Sequence, residues 1–397
     1  MIYFVVFVLL IILSFHYDIN GKTTNRDQWY LAVLVIFIFV AGLRWRLGTD
    51  TVNYLYSFYH KYPTLNDFSF DKYPVGKDPF YVLINSIVKT LGGRFYLVQF
   101  IQAAFVNTLI FKYIKKHSNY IFTCALLYYM LPYLGICMEV MRGAMSIVIC
   151  LYANDYILLE KKWKKGFFLY LIALLFHSQT ILLFVLPILF FLRLNKIGVI
   201  FLIGAVVVGK LLQDSLGDYL LLLDVEGAIA DKAEVYANSD DYSNQKGNLN
   251  YFLIFIIPGL IYSILALLYI KKYMPNNNIL RFEPMIMLGL VFTMIRMNFE
   301  IAYRYIAYYQ IYNILIYAEV FNNIVRNIHF SKGLAFFRAV VVFLPFLALS
   351  LYPRFKYKYY RYYPYSSVIE KSISKEREKH YNQDPTKIYR HANFDEY

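Results

Sequence analysis

The residues of this chain whose types and spacing could do chemistry are arginines, histidines and carboxylates that interrupt long apolar blocks, and they fall in four clusters. The first is Gly42-Leu43-Arg44-Trp45-Arg46-Leu47-Gly48-Thr49-Asp50, followed by Asn53 and Tyr54. The planar fork of an arginine grips phosphate in bidentate fashion, and a glycine-containing turn lets backbone amides approach the same anion. Asp50 is then a candidate base or the partner of Arg46, while the ordinary alternative is two arginines snorkelling at a membrane boundary beside a Trp anchor. The second cluster is Glu139 and Arg142, three apart and so on one face of a helix, where a local ion pair is the plain alternative. The third is His177 in the tight turn Phe176-His177-Ser178-Gln179, a proton acceptor or a structural hydrogen-bonding residue. The fourth is Arg296, Glu300 and Arg304 with Tyr303 and Tyr308 alongside; in a continuous helix this i, i+4, i+8 spacing makes one polar stripe. It reads either as a salt-bridged row or, because Arg outnumbers Glu, as positive charge left over for an anionic ligand.

The elements that must position these residues are membrane helices. The 397 residues are 59% apolar and 17% charged, with mean hydropathy +0.45, and the apolar residues form blocks instead of alternating with polar ones. Unpaired backbone groups are not tolerated in hydrocarbon, and blocks near a bilayer span without period-2 alternation indicate helices. The expected fold is all-α: a polytopic protein of about ten to twelve transmembrane helices, residues 1–351 forming one membrane domain and 352–397 a basic, Tyr-rich polar tail. The blocks fall at 2–15, 29–43, 95–111, 120–136, 143–159, 167–176, 180–192, 197–212, 249–270, 284–295, 305–321 and 334–351. The first has neither a basic leader nor a cleavage site and reads as a retained helix. Residues 80–91 are too short to cross and suit an interfacial or re-entrant helix. The 41 tyrosines and 34 phenylalanines fit a protein with many water–lipid boundaries.

Orientation follows from Lys and Arg in short loops. Lys112, Lys115 and Lys116; Lys161, Lys162, Lys164 and Lys165; Arg193 with Lys196; and Lys271 with Lys272 mark four cytoplasmic loops. By parity residues 44–79, 137–142, the turn at His177, 213–248 and 296–304 are external, and 213–248 holds eight acidic residues against Lys232 and Lys246. All four clusters then lie on the external side. The tail is inconsistent: parity puts it outside, but Arg354, Lys356, Lys358 and Arg361 argue for inside. Either 334–351 does not cross, or the tail binds anionic headgroups or substrate.

Ionisable groups at membrane depth are expensive, so four segments that bring Arg, His and carboxylates to one face suggest a shared site. The ligand this implies is anionic and membrane-borne, and a lipid-linked pyrophosphate has both properties. Cys124, Cys137 and Cys150 show no CxxC spacing and the seven histidines no HExxH or HxxxH pairing, so no metal is expected. No cofactor or nucleic-acid partner is expected either.

The stretch from Gly42 to Asp50 with Tyr54 resembles the signature opening the first large external loop of the EpsG family of bacterial polysaccharide polymerases, relatives of the Wzy-type polymerases. Asp78-Pro79-Phe80-Tyr81 is similar to the family's acidic-Pro-aromatic stretch, Arg142 and Phe176-His177-Ser178 follow in order, Arg304-Tyr305 matches the late arginine, and Tyr363-Pro364-Tyr365-Ser366 resembles the tail motif. Arg142-Gly143 departs from the Arg-Gln of many members. The resemblance implies a metal-independent glycosyltransferase with a GT-C-like multi-helix architecture, in the bacterial inner (cytoplasmic) membrane. It would join polyprenyl-pyrophosphate-linked repeat units into exopolysaccharide, capsule or O-antigen on the external face. Its partners would be the lipid-linked glycan, the bilayer and other polysaccharide-assembly proteins. Arg44, Arg46, Arg142 and Arg304 would contact pyrophosphate or glycan phosphate, with Tyr54, Glu139, Arg296 and Glu300 in the substrate site and His177 or Asp50 as base. The competing readings are an O-antigen-ligase-type transferase, a lipid-linked-oligosaccharide flippase, for which polar residues along a central path are expected, and a scaffold of an assembly complex.

Overall fold

The computed structural model describes residues 2–48, 50–72, 74–76, 78–222, 257–326, 361–372, 374–375 and 377–378. Most of the acidic loop 213–248, the start of the block 249–270, the block 334–351 and the basic run after it lie outside the described residues, as does Thr49. All regular elements among the described residues are helical, and the one β-type pairing is an isolated antiparallel bridge between Arg44 and Ser367. Among the described residues four helices are long and apolar enough to cross a membrane by length and composition: Ile2–Ile19, Phe95–His117, Lys196–Gln213 and Asn278–Arg296. About ten to twelve spans were expected; the block 334–351 and the start of 249–270 lie outside the described residues, and several other blocks form shorter helices. The block 120–136 breaks into a helix ending at Met130 and a π-turn at Gly135–Glu139, and 180–192 becomes 3₁₀ helix at Ser178–Phe184 and Leu186–Leu189.

The chain forms two compact units, Met1–Ile188 with Tyr357–Tyr397, and Leu189–Lys356. The first contains α1 (Ile2–Leu13), α2 (Arg26–Gly42), α3 (Thr51–His60), α4 (Pro79–Thr90), α5 (Phe95–His117), α6 (Ile121–Met130), α7 (Met141–Leu158) and α8 (Trp163–Phe176). Its core is aromatic. Phe37 of α2 packs against Phe111, Tyr128, Tyr129 and Tyr133 with ring centroids 4.7–5.8 Å apart, and the Tyr133 hydroxyl donates to the Phe37 carbonyl at 2.6 Å. Each such ring pair adds about 0.5–1.5 kcal/mol beyond area burial. Many of the tyrosines expected at water–lipid boundaries therefore sit in the interior, with Tyr81, Tyr113, Tyr128, Tyr133 and Tyr170 fully buried.

Two sets of hydrogen bonds define the ends of this bundle. At one end Gln99 Nε2 donates to the carbonyls of Gly42 (2.8 Å) and Arg44 (2.9 Å), so α5 starts beside the point where α2 stops. Leu43 and Arg94 therefore stand at the same end, and α4, between them, is shorter than a bilayer span. Twelve residues long and so about 18 Å, α4 is locked to α3 by Lys89, whose ammonium donates to the carbonyls of Phe58, Tyr59 and Tyr62 at 2.8–3.2 Å. At the other end Asp155 of α7 accepts from Tyr113 (2.8 Å) and Lys116 (2.9 Å) and pairs with His117 (2.6 Å). The lysine loops at 112–116 and 161–165 thus share the end opposite Arg142, about 20 Å away along α7.

The tail joins the Arg142 end. Ser366 accepts from the Trp45 amide (2.8 Å), Arg361 from the Gly48 amide (3.0 Å) and Leu43 from the Val368 amide (2.8 Å), while Tyr365 donates to the Val40 carbonyl (3.1 Å). Gly48 has φ +88°, and a Cβ there would run into the Met138 carbonyl, so only glycine fits beneath the tail. Residues 361–368 therefore pack on the Arg44 stretch.

In the second unit Glu283 is buried, accepts from the Leu194 amide (2.6 Å), and pairs with Lys271 and Arg193 (3.8 Å). The two basic turns of this unit therefore share an end too. The helix Lys196–Leu222 runs past Gln213, where the loop was expected to begin.

Because Cys124, Cys137 and Cys150 are all buried, thiol labelling of intact cells can read this arrangement against a low background. Asn66→Cys and Glu370→Cys are expected to react with an impermeant maleimide from one side of the membrane, and Lys162→Cys from the other. Labelling of Glu370→Cys together with Lys162→Cys would break the docking of the tail on the Arg44 stretch.

Candidate active site

Asp78 precedes Pro79, the first residue of α4. An Asp in that position ordinarily caps the helix it begins, and Pro at the first position suits a helix start because it lacks an N–H. Here the carboxylate makes no cap to α4. It turns to two other elements instead: Oδ2 pairs with Nη1 of Arg142 in the first turn of α7, and Oδ1 accepts from the Ser178 amide at 2.9 Å, where the 3₁₀ helix after α8 begins. His177 Nδ1 stands 3.8 Å from Oδ1. The Asp78 side chain is only 2% exposed. Its burial pushes the carboxyl up, but the His177 imidazole beside it, the Arg142 charge and the Ser178 amide together outweigh it and hold the group below the usual carboxylate range.

The groups that Asp78 gathers remain partly open. The Arg142 side chain is 31% exposed and that of His177 18%. The Arg142 guanidinium also lies 5.7 Å from the Tyr54 ring centroid, and Tyr54 packs edge-on against Tyr81 at 5.7 Å. His177 leaves α8 in an extended conformation (φ −154°, ψ 112°), which swings its ring away from the helix, and Nε2 lies 3.1 Å from Gln179 Oε1. A Cβ on Gly143 would meet the His177 ring at 3.6 Å, so the departure at this position removes a side chain beside the imidazole. The arrangement can therefore present one cation and one imidazole, both oriented by a buried carboxylate, to a ligand at this end of the bundle.

The other expected site residues are placed differently. Glu139 and Arg142 share no helix face, because Val140 (φ −103°, ψ 65°) breaks the helical path between the π-turn and α7. Glu139 Oε1 accepts from the Tyr362 hydroxyl (2.6 Å) and lies 3.7 Å from Arg361, both carried by the tail. Arg44 is 0% exposed, and its guanidinium donates to the carbonyls of Ala41 (2.6 Å) and Met138 (3.4 Å). It closes the end of α2 and offers no surface to a ligand. Arg46, at φ +46°, places its guanidinium 4.8 Å from the Trp45 ring centroid, and Lys371 of the tail stands 5.1 Å from the same ring. Asp50 stands one turn before Tyr54, whose amide bonds to its carbonyl at 3.0 Å, and its side chain caps no amide of α3.

Arg296 and Arg304 belong to the second unit. Their helix stops at Arg296 and a 3₁₀ turn at Glu300–Ala302 intervenes, so the i, i+4, i+8 spacing does not make a single stripe. The turn nonetheless brings both guanidiniums to 5.9 Å from the centroid of the Tyr303 ring. The side chain of Glu300 lies outside the description.

Asp78, Gln179, Arg361 and Tyr362 were not among the expected site residues. Asp78 carried a signal, the Asp-Pro-aromatic stretch at a helix start. Arg361 and Tyr362 carried none, because nothing local to a tail says what it docks on. A sequence model of the EpsG family matches residues 27–367. No curated protein and no solved structure matches the chain.

The lowered carboxyl of Asp78 fixes the sign of its contribution to stability. Its stabilisation is present in full above the unfolded carboxylate value of about 4 and is lost as pH falls through the folded value. Asp78→Asn is expected to lower the thermal midpoint in detergent at pH 7 by several degrees and by less at pH 3. An equal loss at both pH values would show that the carboxylate charge holds nothing.

Proposed function

Because the chain belongs to the EpsG family and is thereby a membrane protein of polysaccharide biosynthesis, we propose that it is a polymerase joining polyprenyl-pyrophosphate-linked oligosaccharide units. The reaction would run at the end of the bundle that carries Arg142 and His177, on the external face of the inner membrane. The observation carrying this reading is the Asp78 carboxylate, which holds a partly open arginine and a partly open histidine together.

In the proposed reaction the hydroxyl oxygen of the acceptor glycan attacks the anomeric carbon of the donor glycan. The bond from that carbon to the pyrophosphate oxygen breaks, and its electron pair leaves with the polyprenyl pyrophosphate. Arg142 binds the departing pyrophosphate with its partly open guanidinium, a role that places positive charge where negative charge develops. His177 takes the acceptor hydroxyl proton, and Asp78 orients both without touching substrate. Asp50 and Tyr54 border the same end, as does Arg46, which is buried against the Trp45 ring. The leaving group departs readily, so positioning and charge neutralisation carry most of the acceleration. Polymer as exopolysaccharide, capsule or O-antigen is equally compatible with this chemistry, as is an O-antigen-ligase-type transfer. A flippase is less well served, because the paired arginine, carboxylate and histidine sit at one end of the first unit and the opposite end holds a separate, self-satisfied Asp155 cluster.

Purified protein in lipid, given a synthetic polyprenyl-pyrophosphate repeat unit, is expected to produce a ladder of extended glycans. Arg142→Ala should slow extension by roughly 10²–10³-fold, Arg142→Lys should restore part of it because the charge returns without the fork, and His177→Ala should cost roughly 10²–10⁴-fold. Full extension by both alanine variants would overturn the assignment of the site, and no extension by the wild-type protein with the matched repeat unit would overturn the polymerase reading.

A further inference from the structure

At the end of the first unit opposite Arg142, a groove of about 400 Å³ opens between α7 and α8, lined by Tyr156, Lys164, Lys165, Phe168 and Leu169. Its two halves differ in chemistry. Lys164 and Lys165 are exposed at the start of α8, and the Lys165 ammonium lies 5.9 Å from the Tyr156 ring centroid. One turn further along, Phe168 is 61% exposed and Leu171, beyond the groove, is also exposed. Trp163 stands exposed at the first position of the helix, the interfacial level that Trp prefers in membranes.

The charges here are not locally balanced. Lys162 is paired with Glu160 at 2.7 Å, and on the neighbouring loop Lys116 is paired with Asp155 and Lys115 with Asp27 at 3.0 Å. Among the described residues no carboxylate lies within ion-pairing distance of Lys164 or Lys165. Two ammonium groups at the head of an apolar, outward-facing strip complement a ligand with an anionic head and a hydrocarbon tail.

We propose that this groove binds an anionic phospholipid, its phosphate held by Lys164 and Lys165 and an acyl chain lying along Phe168 and Leu169. Lysines near a membrane surface attract anionic lipid by about 1 kcal/mol each, so the two together correspond to roughly a 30-fold preference over a zwitterionic lipid. The groove lies away from the Asp78 network, and the proposal stands apart from the transferase reading.

The test uses the full-length protein in a zwitterionic detergent, exposed to phosphatidylglycerol or phosphatidylcholine, with retained lipid counted by native mass spectrometry. Preferential retention of phosphatidylglycerol that falls roughly 30-fold in the Lys164→Gln/Lys165→Gln variant supports the site. Lys115→Gln, whose lysine is already paired, should retain as much as the wild-type protein. Bromine-labelled phosphatidylglycerol should also quench Trp163 fluorescence, a readout that needs no variant other than Trp163→Phe as its blank. Equal retention of the two lipids, retention unchanged in the double variant, or displacement of phosphatidylglycerol from the groove by a stoichiometric amount of a polyprenyl phosphate would each overturn it.

Discussion

A carboxylate taken out of water must find cations or amide donors, and the first unit is organised around one that does. Asp78 reaches from the start of α4 to the first turn of α7 and to the turn after α8, so three segments far apart in the chain are fixed by a single group. In surroundings of lowered polarity, removing either partner of such a pair leaves an uncompensated charge and costs about 3–5 kcal/mol when the pair is fully buried. The Arg142 side chain is partly open, so the cost here is smaller, and that openness is what leaves the guanidinium able to meet a second anion. In the proposed reaction the Asp78 pair would serve architecture and chemistry through the same atoms.

The same device recurs where no ligand is implied. Asp155 gathers Tyr113, Lys116 and His117 at the opposite end of α7, and Glu283 gathers Arg193, Lys271 and the Leu194 amide in the second unit. In each case a buried acid ties a basic turn to a helix end. These basic turns are the ones from which the orientation was read in the sequence, and their lysines and arginines take part in packing. Asp78 differs in that its arginine stands at the start of α7 and is not part of a lysine loop.

The stretch after α2 shows how far a polar residue's role depends on its neighbours. Arg44 and Arg46 are two residues apart, yet Arg44 is sealed against the Ala41 and Met138 carbonyls while Arg46 lies over the Trp45 ring. The tail makes the difference. By adding backbone hydrogen bonds at Leu43, Trp45 and Gly48 it turns an exposed loop into a buried layer, and it delivers Arg361 and Tyr362 to Glu139. A carboxylate that spacing alone would pair with Arg142 is thereby satisfied from more than two hundred residues away in the chain.

The sequence by itself determined the helical class, the positions of most helices, the basic turns, the tight turn at His177 and the shortness of α4. All of these follow from consecutive residues, since hydropathy, charge runs and turn propensity are sums over neighbours in the chain. It also identified Arg142 and His177 as residues worth attention, because an ionisable group beside an apolar block is costly wherever it ends up. Tertiary structure alone decided that Arg142 pairs with Asp78 and not Glu139, that Arg44 is buried, that the tail docks on the Arg44 stretch, and that Ser178–Phe184 and Leu186–Leu189 wind as 3₁₀ helix. Each of these depends on which groups from distant segments meet in a low-dielectric interior. A single backbone angle, as at Val140, is enough to undo a helical spacing that the sequence presents as continuous.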